Sequence, residues 1–180
     1  LIDRIFNLYI MAVMLRFLLQ WTRADFYNPL SQFLVRITQP LLHPLRRVVP
    51  GWGGFDFSAL LLMVVLQMIA LALLMMLAGV SPRIEYLILR TPAELISLLF
   101  NVYLVAIIVR AILSWVSPHD YNPAMTVLLS LTEPVIRPFR SILPPVGGLD
   151  LSPLAAIIAI QVAKMLVLPP LEHIAPGLMM

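Results

Sequence analysis

The chain contains no cysteine. That absence excludes disulfides, thiolate metal sites and a cysteine nucleophile, while leaving the compartment open. Charge is scarce as well, at 12% of residues against about 25% in soluble domains. The nine Asp and Glu include no adjacent pair suited to acid–base catalysis. The three histidines, His43, His119 and His173, lie outside the apolar runs and never coincide when the chain is compared with itself. A two-histidine haem site and a histidine metal site are therefore not expected. Gly51 to Gly54 read as a turn rather than a phosphate loop, because no strand precedes them. Basic clusters interleaved with aromatics are missing, so direct nucleic-acid contact is not expected. No cofactor, metal or catalytic residue emerges, and the chain reads as a non-enzyme.

What is present is apolar residue. Hydrophobic residues make up 61% of the 180 positions and mean hydropathy is +0.97. A soluble domain of that composition would expose large apolar patches, a difficulty that lipid removes. Four runs stand out, at about 5–21, 58–80, 94–116 and 152–168. Each approaches the roughly 20 residues that a spanning helix needs. The first has no small-residue cleavage site after it and is expected to stay in the mature protein. A chain that opens on Leu1 is expected to lack a short N-terminal piece. The net charge of +3 comes from arginines in the connecting segments, which suits anionic lipid headgroups.

The runs belong to an internal duplication. Shifting the chain by 94 residues sets residues 16–58 on 110–152 without a gap, with 16 of 43 positions identical. Arg16 falls on Arg110, Trp21 on Trp115, and Tyr27-Asn28-Pro29 on Tyr121-Asn122-Pro123. Thr38, Pro40, Pro44, Arg46, Pro50, Gly53, Gly54, Asp56 and Ser58 fall on Thr132, Pro134, Pro138, Arg140, Pro144, Gly147, Gly148, Asp150 and Ser152. The expected architecture is all-α: a first repeat at 1–80, a polar linker at 81–92 and a second repeat at 93–180. Two spans per repeat return the chain to its starting side, so the repeats should be parallel, related by an axis along the membrane normal.

Between the spans of each repeat, Asn28-Pro29 and Asn122-Pro123 read as N-cap followed by N1 proline. Leu30, Phe33, Leu34 and Ile37, like Ala124, Val127, Leu128 and Leu131, recur at helical spacing. Pro40 and Pro134 should end these helices, since a residue before proline avoids the α region. Helices at about 29–39 and 123–133 are too short to cross and should lie in the interface. Ser58 and Ser152 are the candidate caps of the following spans.

Polar residues inside the runs are the candidate site. Arg16 and Arg110 lie on the same side as Asp56 and Asp150, so the expected pairs are Arg16–Asp56 and Arg110–Asp150, or the same pairs crossed between repeats. Three readings stay open: a structural ion pair, a polar vestibule for an ion or headgroup, and snorkelling without a partner. Gln67 and Gln161 coincide under the shift; they are expected to hydrogen-bond across the pseudo-twofold, the other reading being a substrate contact. Lys164 falls against Ala70 and reads as a snorkelling end residue.

On the doubled Tyr-Asn-Pro, Pro-x-x-x-Pro-x-Arg and Gly-Gly-x-Asp-x-Ser pieces, nearly the whole chain resembles the YggT family, called YlmG in other bacteria and in plastids. The resemblance implies an integral membrane protein of the duplicated proteobacterial form. Members have been tied to osmotic tolerance, to cell division or nucleoid distribution, and in plastids to b-type cytochrome maturation. The expected function is a non-enzymatic assembly or scaffold factor in the bacterial inner membrane, with other membrane proteins as partners. The alternative is a small ion- or osmolyte-permeation component. Arg23, Arg36, Arg46, Arg47, Arg137 and Arg140 outnumber Arg4, Arg83, Arg90 and Lys164, which places the connecting segments in the cytoplasm.

Overall fold

The structure, a computed structural model, describes residues 2–51, 54–116, 123–143 and 150–173, with the side chains of Trp115, Val116 and His173 outside that description. Six helices follow in order: α1 (Ile2–Trp21), α2 (Pro29–Val48), α3 (Phe57–Leu77), α4 (Ile84–Val116), α5 (Pro123–Ile142) and α6 (Ser152–His173). The chain is all-α among the described residues. Phe57–Leu77, Ile84–Ser114 and Ser152–Glu172 are long and apolar enough to cross a membrane. At 20 residues α1 has the length, but Asp3, Arg4 and Arg16 set its composition apart.

The same packing recurs in each half. α1 lies against α2 and α3, and α4 lies against α5 and α6. α3 packs on α4 and α2 on α5, which joins the halves. The core runs along α1 and α4, through Ile10, Val13, Leu18 and Leu19 and through Val102, Ala106 and Ile107. A small satellite under the α3–α4 connection sets Tyr86 and Leu87 against Met68, Leu71 and Met75.

Helix boundaries differ from the sequence expectation at four places. α2 does not end before Pro40 but runs on through Pro40 and Pro44, and α5 runs through Pro134 and Pro138. All four prolines sit on exposed positions. The carbonyls four residues earlier lose their donors, and on that exposed face the loss is cheap. Opposite them, Ser31, Thr38 and Leu42 form the buried seam of α2, so packing carries the helix past its prolines. Phe33, on the apolar face expected from the periodicity, is 59% exposed; periodicity marks an apolar face without saying whether core or lipid covers it. The supposed linker at 81–92 is helical from Ile84 and continues through Pro92 into α4. Likewise α6 runs through Pro169-Pro170 to His173.

Candidate functional site

Arg16 sits five residues before the end of α1 and is 4% exposed. Its guanidinium is spent on α2. Nη1 donates to Thr38 Oγ1 at 2.8 Å and to Val35 O at 3.3 Å, and Nη2 donates to Gln39 Oε1 at 2.8 Å. Thr38 has its hydroxyl aimed at this point because that hydroxyl donates back to Leu34 O at 2.6 Å, the bond a helical threonine makes to its own preceding turn. The second half repeats the device. Arg110 donates to Thr132 Oγ1 at 2.7 Å, and Thr132 donates to Leu128 O at 2.6 Å. At the place of Gln39 stands Glu133, which pairs with Arg110 at 3.1 Å. Tyr9 adds a donor from α1 to Ile37 O at 3.2 Å.

The Arg–Asp pairs expected from the sequence do not form. Asp56 pairs with Arg46 from the end of α2, and Asp150 pairs with Arg140 from the end of α5 at 3.2 Å. The physical reason is order along the chain. Arg46 and Arg140 each lie ten residues before their aspartate and reach it first, whereas Arg16 and Arg110 meet the threonine of a helix packed directly on them. In the second half Arg140 also pairs with Glu133 at 2.7 Å, so Arg110, Glu133, Arg140 and Asp150 form one chain of charge.

Asp56 has a second task. It is the N-cap of α3, accepting from Ala59 N at 3.2 Å, and it is 2% exposed. Ser58, expected to be that cap, instead donates its hydroxyl to Val49 O. Asp150 accepts from Ser152 N at 2.9 Å, so Ser152 is the first residue of α6 rather than its cap. Hydrogen bonding from Ser152, then from Arg140, holds the Asp150 carboxyl below the usual carboxylate range against a partial burial that raises it.

Asn28 caps α2 as expected, accepting from Leu30 N at 3.0 Å ahead of Pro29. Its amide also donates to Pro123 O at 2.8 Å, so the same side chain ties the start of α2 to the start of α5. Beyond this tie residues of α1, α2, α4 and α5 line a half-open slot of about 440 Å³. Leu15, Phe33, Val105 and Val127 are among its walls, and among the described residues Asn101 is its one polar lining residue. A shallower concavity of about 860 Å³ lies on the polar side of α2, at Gln32, Arg36, Gln39 and His43.

Gln67 and Gln161 do not meet. Gln67 is buried in α3, whereas Gln161 is exposed on α6. Lys164 is not an end residue; it donates to Asn101 Oδ1 at 2.7 Å. Trp21 meets Phe55 at a tilt of 37° with ring centroids 6.0 Å apart, and Phe55 meets Phe57 at 6.5 Å, an aromatic cluster where α1 ends and α3 begins. Gly54 adopts φ +88°, which a glycine alone takes freely. Gly53, Asn122, Gly147, Gly148, Pro144 and His119 lie outside the described residues. The residues that sequence reasoning passed over are Thr38, Thr132, Gln39 and Glu133. The two threonines were visible as identities in the duplication, but only packing shows them as arginine acceptors.

The model of the CCB3/YggT family matches residues 1–77 and 89–171. The chain belongs to the CCB3/YggT family. The break between the matched stretches falls on the α3–α4 connection and the first turn of α4. Among CCB3/YggT relatives, an uncharacterised protein of Pseudomonas aeruginosa is 46% identical over 164 residues, 90% of this chain and 83% of that one. Uncharacterised protein YggT of Escherichia coli strain K12 is 38% identical over 187 aligned positions, 100% of this chain and 96% of that one. YlmG homolog protein 2, chloroplastic, of Arabidopsis thaliana is 39% identical over 64 residues, 34% of this chain and 24% of its own length. The family expected from the doubled motif is thus shown. No solved structure matches the chain.

Proposed function

We propose that this CCB3/YggT protein is a bacterial inner-membrane protein with four spans, α1, α3, α4 and α6, in two parallel tandem repeats. It would work without catalysis, as an assembly or scaffold factor for envelope, division or membrane-complex processes. The observation that carries this reading is the use made of the two buried arginines. Arg16 and Arg110 are committed to threonine and to Gln39 or Glu133, so their charge anchors α2 and α5 and sets shape. The slot between the halves is lined almost wholly by apolar side chains, which offers no replacement for the hydration shell of a permeating ion.

The packing of α2 on α5 and the Asn28–Pro123 bond support placing both connecting helices on one side of the bilayer. The arginine excess puts that side in the cytoplasm. Burial of α1 among α2, α3, α4 and α5 supports its crossing despite Arg16, since polar groups at membrane depth are accommodated when they face protein.

Two measurements test the proposal. Ion flux would be followed in liposomes with the wild type, Asp56→Asn and Arg16→Gln, and partners would be sought in native membranes by mild detergent co-purification. No flux together with a reproducible membrane-protein partner is expected. Flux that responds to either substitution would overturn the scaffold reading in favour of a permeation component for osmotic tolerance.

A further inference from the structure

Eleven of the twelve basic residues are arginine, and the single lysine is Lys164. Counting 1.5 Å per residue, it stands about 18 Å from the first residue of α6 and about 12 Å from Glu172. Its partner Asn101 is about 16 Å from Arg90 and about 22 Å from Val116 along α4. In helices that cross a hydrocarbon layer of roughly 30 Å, the pair therefore lies near the middle. The ammonium bonds a side chain of the neighbouring helix. It is half-buried and bound to the exposed Asn101, and among the described residues no carboxylate pairs with it. Gln161, exposed and three residues before Lys164, shares its helix face. The other half keeps Asn7 and Gln67 at the places of Asn101 and Gln161 but does without the cation, for the shift sets Lys164 against Ala70, which is buried. The fold does not need a cation here, and a cation at this depth is expensive and marks function by default.

We propose that Asn101, Gln161 and Lys164 form a docking face for a transmembrane helix of another protein that carries an aspartate or glutamate near its midpoint. Charge complementarity selects this occupant. A lipid phosphate sits about 15 Å away at the bilayer surface and cannot reach Lys164. A second copy is the poorer source: a symmetric pair would set two Lys164 ammonium groups at one level, and Asp3, which the shift sets on Ser97 one turn from Asn101, already accepts from Asn7 at 2.8 Å. Asn101 is shared with the apolar slot, so a helix laid along α4 would place apolar side chains in the slot and its carboxylate on Lys164. The inference rests on the reading of α4 and α6 as spans and deepens the scaffold proposal by giving its partner a chemistry.

The test uses the full chain in phosphatidylcholine vesicles with labelled leucine-rich peptides of roughly 20 residues. Peptides carry central Glu, central Gln, leucine throughout, or Glu near one end, and association is read by energy transfer. The central-Glu peptide is expected to bind about tenfold tighter than the all-leucine one. Lys164→Met should abolish that difference and Lys164→Arg should keep it. Equal binding of the Glu and leucine peptides would overturn the proposal. So would a difference that survives Lys164→Met, a Gln peptide binding as tightly as Glu, or an end-placed Glu binding as well as a central one. If discrimination holds while native membranes yield no partner, the scaffold reading fails and the docking face stands.

Discussion

Replacing Thr38 by valine keeps the shape of a fully buried side chain and deletes one oxygen. That oxygen accepts from Arg16 Nη1 at 2.8 Å and donates to Leu34 O at 2.6 Å. Leu34 O keeps its helical N–H donor, so the loss on that side is small. Arg16 loses a good acceptor for a buried charge and retains Val35 O at 3.3 Å and Gln39 at 2.8 Å. A hydrogen bond to a charged group is worth roughly 1.5–3 kcal/mol, so Thr38→Val should cost about 2 kcal/mol. By the scaling of soluble domains of similar length, that lowers Tm by roughly 4–8 °C. The assay is a thermal melt of purified protein in detergent, followed by tryptophan fluorescence, on a cycle of four variants. In an Arg16→Met background the threonine has no charged donor to serve, and Thr38→Val should then cost less than about 1 kcal/mol. Thr132→Val should cost less than Thr38→Val, because Arg110 keeps the Glu133 carboxylate at 3.1 Å. Equal losses in the wild-type and Arg16→Met backgrounds would refute the view that Arg16 anchors α2 through Thr38.

Glu133→Gln makes the second half resemble the first, where Gln39 accepts from Arg16; since Glu133 is 39% exposed, the melt should fall by less than the equivalent of about 1 kcal/mol. Gly54→Ala meets no atom within 4 Å yet must hold φ +88°, so it should cost about 1–2 kcal/mol from backbone strain alone, and a shift near zero would remove the left-handed turn from the account. Asp150 has a folded pKa below its ordinary 3.8, so its contribution is complete above the usual carboxylate range and is lost as pH falls through the folded value. The side chain is 44% exposed and screened by solvent, which holds the effect below about 1 kcal/mol. Acid titration of wild type against Asp150→Asn should show the variant missing that part of the acid loss, and identical profiles would contradict it.

The helices, their order and the equivalence of the halves' polar devices were legible in the residues. Hydropathic runs of spanning length have few ways to satisfy their backbone other than as helices, and a duplicated Arg, Thr, Pro and Asp set can be aligned by inspection. Asn28-Pro29 announced a helix start because cap chemistry is local. Proline misled for a related reason. Its local bias against a preceding helical residue is real, but Pro40, Pro44, Pro134 and Pro138 all face outward, and the burial of Leu42 and Ile136 outweighs it. Which arginine meets which acceptor was a tertiary matter. Complementary charge allowed Arg16 to choose Asp56, and only the crossing of α1 with α2 hands it to Thr38 while Arg46 takes the aspartate. The lone lysine shows the same division. Its type and register could be read from the chain, but that it lies across from Asn101 with Gln161 on the same outer face was decided by how α4 and α6 pack, because contact between residues 63 positions apart is set by helix packing and not by anything local to either.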